Sequence, residues 1–150
     1  DWLDFPALAA KTLEALEFPM VDRDPVLAWS FGPVTLLGDA AHPMYPVGSN
    51  GASQAILDAR ALAEALADGA GDIHGALKSY ETKRLPATAA LVAANRRQGP
   101  EQVMQMVEER APNGFERLED VISQAELEAV SSQYKQIAGF DKAAVARILE

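Results

Sequence analysis

The string "GDAAHPMYPVGSNGASQAILDAR", residues 38–60, constrains this chain more than any other part of it. It sets Gly38, Gly48 and Gly51, with Pro43 and Pro46, between an apolar run, "VTLL" at 34–37, and an amphipathic stretch beginning at Ser53. Glycine takes backbone angles closed to other residues and lacks a Cβ, whereas proline fixes φ, so the chain is committed here to one tight connection. The apolar run reads as a strand covered on both faces. From Ser53 to Ala67, Ile56, Leu57, Leu62 and Leu66 recur at helical spacing with Gly69 just beyond, which predicts a helix.

A loop between the end of a strand and the start of a helix collects unpaired N–H groups and the positive end of the helix dipole, so anions settle there without help from lysine. Gly48 and Gly51 would let a planar or phosphorylated ligand approach the main chain closely. For a Gly-x-x-Gly pair taken alone, the competing reading is that these residues only shape a turn.

The rest of the chain surrounds this connection with helices. "FPALAAKTLEALE", 5–17, predicts a short helix with Pro6 in its first turn, stopped by Pro19. Residues 26–31 and 34–37, separated by Gly32 and Pro33, predict a β-hairpin. A long helix is expected from about Ile73 to Arg97, carrying Leu77, Tyr80, Leu85, Leu91 and Val92, and kinked or broken by Pro86. "GPEQVMQMVEERAPNG" predicts a Pro-initiated helix with core methionines, closed by 112–114. In the tail, Ser123 with Glu126 spells a capping box, and Asp141 opens a last helix.

Composition narrows the function classes. A chain of 150 residues, 49% apolar and 23% charged, can fill a core and is not built for disorder. A formal charge of -9, with no basic stripe to offset it, argues against a nucleic-acid partner. No run approaches the roughly 20 apolar residues of a membrane span, and "DWLDFPALAAK" lacks the parts of a secretory signal, so no integral membrane segment and a cytoplasmic location are expected. Without cysteine there is no disulfide, thiol nucleophile or zinc ribbon, and with only His42 and His74 as imidazoles no metal site is expected.

Among polar side chains, His42 titrates near neutrality and suits a general base, yet no serine or carboxylate partner stands at suitable spacing, so a structural hydrogen bond is expected of it. Asp58, inside a helix, is expected to anchor backbone or a basic side chain. His74 is expected in a loop, and Glu81 and Arg84, three apart, in helix packing.

Gly38-Asp39-Ala40-Ala41-His42, followed by Pro46, Gly48, Gly51 and Asp58-Ala59, resembles the second flavin-binding motif of the FAD-dependent aromatic hydroxylases, the single-component flavoprotein monooxygenases. "DRDP" at 22–25 and "ALKSYETKRLPATAALVAANR" at 76–96 extend the resemblance to residues 20–97. Within the family the motif is most similar to the flavin hydroxylases of phenazine biosynthesis, which share the Gly-Ser/Ala-Asn-Gly form.

The resemblance implies FAD as cofactor and NADPH or NADH as reductant. It implies a reaction in which reduced flavin and O₂ form a hydroperoxide that hydroxylates a small aromatic or heteroaromatic substrate. Gly38 and Asp39 would lie at the ribityl chain, with the Asp39 carboxylate accepting its hydroxyls, although an aspartate here also caps turns. Backbone N–H groups of Gly48, Ser49, Asn50 and Gly51 would face the N1 and O2 edge of the isoalloxazine, where charge gathers on reduction. Pro46 would stand beside the reactive face, a catalytic candidate through its backbone, though turn chemistry accounts for it equally. Arg23 would hold the interface between flavin and substrate regions. Many relatives carry Gly-Gln-Gly at 49–51 and Asn at 53, so side-chain contacts there do not transfer, whereas backbone contacts do.

The implied fold is an α+β fragment of an α/β FAD-binding fold, a short β-hairpin followed by mostly α-helices. Residues 1–22 would end a substrate-side region, 23–98 would form the C-terminal part of the FAD-binding domain, and 99–150 a helical extension. The Gly-x-Gly-x-x-Gly loop that clasps the ADP half of FAD is missing from these residues. The expectation is therefore a C-terminal fragment, inactive by itself, whose partner is the N-terminal part of the same enzyme. A homo-oligomer is compatible with the sequence. The alternative is a helical interaction module in which 99–150 docks a partner protein and the glycine loop is a connector.

Overall fold

Two long helices packed on each other organise the fold. In the computed structural model, which describes residues 3–149, α2 (Gly51–Asp68) and α3 (Ile73–Arg96) pack along each other. The turn between them uses Gly69, Ala70 at φ 46° and Gly71 at φ 96°, and Asp72 then caps α3 by accepting the Gly75 N–H at 2.9 Å. Leu77, Tyr80, Leu91 and Val92 are buried as their spacing predicts, and Leu85 is half-buried.

α3 runs unbroken through Pro86, so the proline does not end the helix. The proline removes the N–H that would bond the Thr82 carbonyl, but Pro86 and Thr82 are both exposed, so water can take that carbonyl. The inner face of α2 is likewise not the expected leucine stripe. Ile56 is 71% and Leu66 45% exposed, while Gln54, Asp58 and Ala61 are buried at i, i+4 and i+7. This helix turns a largely polar face inward, which requires that its polar groups find partners there.

The hairpin is shorter than predicted. β1 (Ser30–Phe31) and β2 (Val34–Thr35) pair antiparallel with Ser30 opposite Thr35 and Phe31 opposite Val34, and Gly32 turns the chain at φ 60°. Phe31 and Val34 are exposed, so "VTLL" is not a strand covered on both faces. No third strand flanks the pair among the described residues. Its inner side is held by burial of Trp29 with Ala41, Ala61 and Tyr80, against which Leu36 packs.

α1 (Phe5–Lys11) has the expected Pro6 in its first turn, and Asp4 accepts the Ala7 N–H at 2.9 Å, but the helix stops at Thr12, well before Pro19. Leu8, Leu13 and Leu16 are exposed. A short helix with no packed face gains too little to propagate.

Beyond α3, a single 3₁₀ turn at Gly99–Glu101 leads into α4 (Gln102–Arg110). Its methionines are not core: Met104 is 66% exposed and Met106 half-buried. α5 (Gln124–Ala138) begins with the predicted capping box, Ser123 and Glu126 each satisfying the other's backbone N–H, and ends at Gly139 with φ 75°. The Asp141 carboxylate accepts from Ala143 and Ala144 at the start of α6 (Lys142–Leu149). α5 packs back on α3 through Leu91, Ala94, Tyr134 and Ala138. None of the helices among the described residues is long and apolar enough to cross a membrane.

Candidate functional site

The connection 38–53 is built from two tight turns and a helix start. Gly38 takes φ 60°, a Cβ there would press to 3.2 Å of the Ala55 Cβ, and its carbonyl accepts the N–H groups of Ala41 and His42, each at 2.9 Å. This leaves Asp39 exposed, its carboxylate beside Gly51, where an added Cβ would come within 3.9 Å of Asp39 Oδ1. The Arg23 guanidinium donates to the Ala40 carbonyl at 2.9 Å and the Ala41 carbonyl at 3.3 Å, pinning the outside of the turn.

The second turn carries two consecutive left-handed residues, Gly48 at φ 71° and Ser49 at φ 53°, with the Ser49 N–H bonded to the Pro46 carbonyl at 3.0 Å. α2 then starts at Gly51. First-turn amides of a helix have no acceptor within it, and Asn50 supplies no side-chain cap, so the N–H groups of Gly51, Ala52 and Ser53 have no acceptor among the described residues. Gly51 and Ala52 line a depression of about 390 Å³ together with Asp39, Tyr45, Pro46 and Ser49. A larger hollow of about 600 Å³, walled by Leu57, Arg60, Lys83 and Ile137, includes none of residues 38–51. Amide donors at a helix end, with a carboxylate acceptor next to them, can seat a ligand that has an electron-rich edge and a hydroxylated arm.

Gly48 departs from its expected role. Its N–H donates to Glu101 Oε1 at 3.1 Å, and the space a Cβ would take is filled by the Tyr134 hydroxyl. The amide expected to face a ligand is thus engaged by the helical extension. Asn50 is also turned inward: its Nδ2 donates to the Gly48 carbonyl at 2.8 Å and to the Tyr134 hydroxyl at 3.1 Å.

Beneath the connection lies a buried polar network. Asp58 is wholly buried; His42 Nε2 donates to its Oδ2 at 2.5 Å, Arg84 Nε to its Oδ1 at 2.7 Å, and the Gly38 N–H to Oδ2 at 3.1 Å. Burial alone would raise this carboxyl's pKa, but the hydrogen bonds from His42, Arg84 and Gly38 outweigh it and hold the group below the ordinary range. Arg84 reaches on to Gln54 Oε1 at 2.6 Å, and Gln54 Nε2 donates to the Ala138 carbonyl at 2.9 Å, joining α3, α2 and α5. Asp58 therefore anchors both backbone and a basic side chain. His42 does have a carboxylate partner, sixteen residues away and on a different element, where no local spacing would reveal it.

Arg84 and Glu81 do more than pack α3. Glu81 Oε2 accepts the N–H groups of Trp29 at 2.8 Å and Ser30 at 2.7 Å, tying the hairpin to the helix, and Oε1 pairs with Lys78. Burial opposes its ionisation, yet Lys78 and the two amides overcome that and draw its pKa down to about 2. The "DRDP" stretch docks at the far end of α3: Arg96 holds Asp22 in a two-pronged pair at 2.6 and 3.1 Å and Asp24 at 2.6 Å. His74 sits in the first turn of α3, exposed, rather than in a loop.

The sequence profile of the FAD binding domain matches residues 6–95. The chain belongs to this family. The FAD binding domain match thus spans α1, the hairpin, the connection 38–53, α2 and nearly all of α3. The chain is 46% identical over 136 residues to phenazine 1,6-dicarboxylic acid hydroxylase of Lysobacter antibioticus, covering 91% of this chain and 31% of that protein. It is 41% identical over 112 residues to 3-amino-4-hydroxybenzoate 2-monooxygenase of Streptomyces platensis, covering 71% and 28%. It is 44% identical over 78 residues to 3-hydroxybenzoate 6-hydroxylase of Polaromonas naphthalenivorans, covering 52% and 20%. The chain spans at most about a third of the length of these curated relatives. Since 136 aligned residues exceed the span 6–95, similarity to the phenazine enzyme continues into the helices beyond the FAD binding domain match.

Proposed function

We propose that this chain forms the flavin-ring side of the FAD site in a monooxygenase that hydroxylates aromatic carboxylic acids. The observation that carries the reading is the set of acceptor-less amides at Gly51, Ala52 and Ser53 at the start of α2, with Gly51 and Ala52 lining the same depression as the exposed Asp39, Pro46 and Ser49. These residues fit the cofactor of the family. Asp39 would accept the ribityl hydroxyls, with Gly38 fixing its turn. Ser49, Asn50 and Gly51 would carry the main chain along the ring, and the first-turn amides would face its electron-rich edge. Gly48 would contribute its left-handed turn rather than its N–H.

The bound flavin, reduced by NADPH or NADH, would supply the activation of O₂ and the transfer of one of its oxygen atoms to the substrate ring, the other leaving as water. The chain's own part is electrostatic and geometric. The N-terminal end of α2 favours negative charge in the depression, Pro46 lines it with an atom that cannot donate a proton, and the Asp58 network below holds the Gly38 turn in place. In this reading residues 23–98 belong to the FAD-binding domain and 99–150 form an extension packed on it, while the ADP half of FAD is clasped outside the sequence 1–150, which has no Gly-x-Gly-x-x-Gly string.

The substrate class comes from the relatives, whose names specify a phenazine dicarboxylic acid, an aminohydroxybenzoate and a hydroxybenzoate, all aromatic acids. A helical interaction module without flavin chemistry is not adopted, because the FAD binding domain match includes the glycine connection itself. The test is the full-length protein given NADPH or NADH, a hydroxybenzoate or phenazine carboxylate panel, and ¹⁸O₂. One labelled oxygen in a hydroxylated product is expected; reductant consumption with no label in any product contradicts the reading.

A further inference from the structure

The loop that would carry the flavin has two sides. Pro46, Ser49 and Gly51 line the depression, whereas Gly48 and Asn50 turn the other way, toward α5. There the Tyr134 ring enters a slot that only glycine leaves open: a Cβ at Gly48 would collide with its hydroxyl, and one at Gly99, itself at φ 48°, would lie 2.9 Å from its ring. The hydroxyl donates to Asn95 Oδ1 at 2.7 Å, accepts from Asn50 Nδ2 at 3.1 Å, and stands 3.3 Å from the Val47 carbonyl. Glu101 holds the Gly48 N–H from the same side.

We propose that Tyr134 is a positioning residue for the flavin: through Asn50 and Gly48 it fixes the strained turn whose opposite side presents Ser49 and the first amides of α2 to the ring. This rests on the flavin reading above. The reason is geometric. Ser49, a non-glycine held at φ 53°, is in a conformation that is costly for an L residue, and such a turn keeps one shape only when its surroundings over-determine it. Here the surroundings are one phenol, one carboxamide and one carboxylate, two of them contributed by the helices beyond residue 97. A bound flavin would thus feel a group that touches neither it nor the substrate.

The experiment uses the full-length protein. Tyr134→Phe keeps the ring in its slot and removes only the hydroxyl; the FAD Kd is expected to rise about 3- to 10-fold, as for loss of a buried hydrogen bond, with the reduction potential of the bound flavin moving downward. Ile137→Ala loosens the same α5 packing without touching the loop, and should lower the melting temperature with neither change. Asn50→Ala cuts the link from the loop side and should move affinity and potential as Tyr134→Phe does; it carries the test should the tyrosine variant fail to fold. Wild-type affinity and potential in Tyr134→Phe or Asn50→Ala, or equal shifts in Ile137→Ala, would overturn the proposal while the flavin reading stands. A wild-type protein that binds no FAD would overturn both.

Discussion

Asp58 on α2 and Arg84 on α3 meet at 2.7 Å with the aspartate side chain wholly buried and the arginine side chain only 11% exposed. The pair joins the two long helices, and Asp58 simultaneously holds His42 and the Gly38 N–H on which the Asp39 turn hangs. Stability and the candidate site therefore share one carboxylate.

Asp58→Asn removes the charge that compensates buried Arg84. Breaking one partner of a buried ion pair costs about 3–5 kcal/mol because the other charge is left uncompensated. Urea unfolding of the full-length protein should show a loss of this size in the transition that reports on this region; a loss below about 1 kcal/mol would show that water or another group takes over.

Glu81 makes acid sensitivity testable. Its pKa in the folded protein is drawn from 4.5 down to about 2, so its stabilising effect is fully present above about 4.5 and is lost as pH falls from there toward 2. Asp58, also depressed, adds to the loss at the acid end. Glu81→Gln should melt lower than wild type at neutral pH, with the gap narrowing as melting is measured at successively lower pH below 4.5. A gap independent of pH would mean that the charge contributes nothing.

Gly48→Ala should be destabilising twice over, through a left-handed backbone worth about 1–2 kcal/mol for an L side chain and through collision with Tyr134. The two causes separate in a double-mutant cycle. In a Tyr134→Ala background the collision is gone, so Gly48→Ala should cost at least about 1 kcal/mol less than in wild type. Strict additivity would show that Tyr134 does not fill the space beside Gly48.

What was legible in the sequence was local. The Ser123 capping box, Asp141 at the start of α6, the Gly38 and Gly48 turns and the leucine spacing of α3 are decided by neighbours within a few residues, and each appears where local rules put it. The motif at 38–51 pointed to the FAD binding domain because its glycines and aspartate are tied to a backbone shape. Contacts across the chain were not legible. The inner face of α2 is polar, since Asp58 and Gln54 are matched by Arg84, His42 and the Ala138 carbonyl from other elements, so a rule that seeks apolar stripes selects the wrong face. α1 is shorter than propensity predicts because its leucines have nothing to pack against. Tyr134 and Glu101 lie 86 and 53 residues from Gly48, and nothing in their own surroundings marks them as neighbours of that loop. Only the demand for glycine at 48 and 99 hints that something large must fit there.

If the connection 38–53 seats the flavin, Asp39 is the side chain to test, because it is exposed and its carboxylate makes no hydrogen bond among the described residues. FAD titration of the apo form of the full-length protein, followed by flavin fluorescence, measures that seating directly in wild type and Asp39→Ala. Loss of charged hydrogen bonds to the ribityl chain predicts a Kd about 10- to 100-fold weaker, with the melting temperature of the apo protein unchanged. An Asp39→Ala protein that binds FAD with wild-type affinity would show that the connection does not hold the ribityl chain.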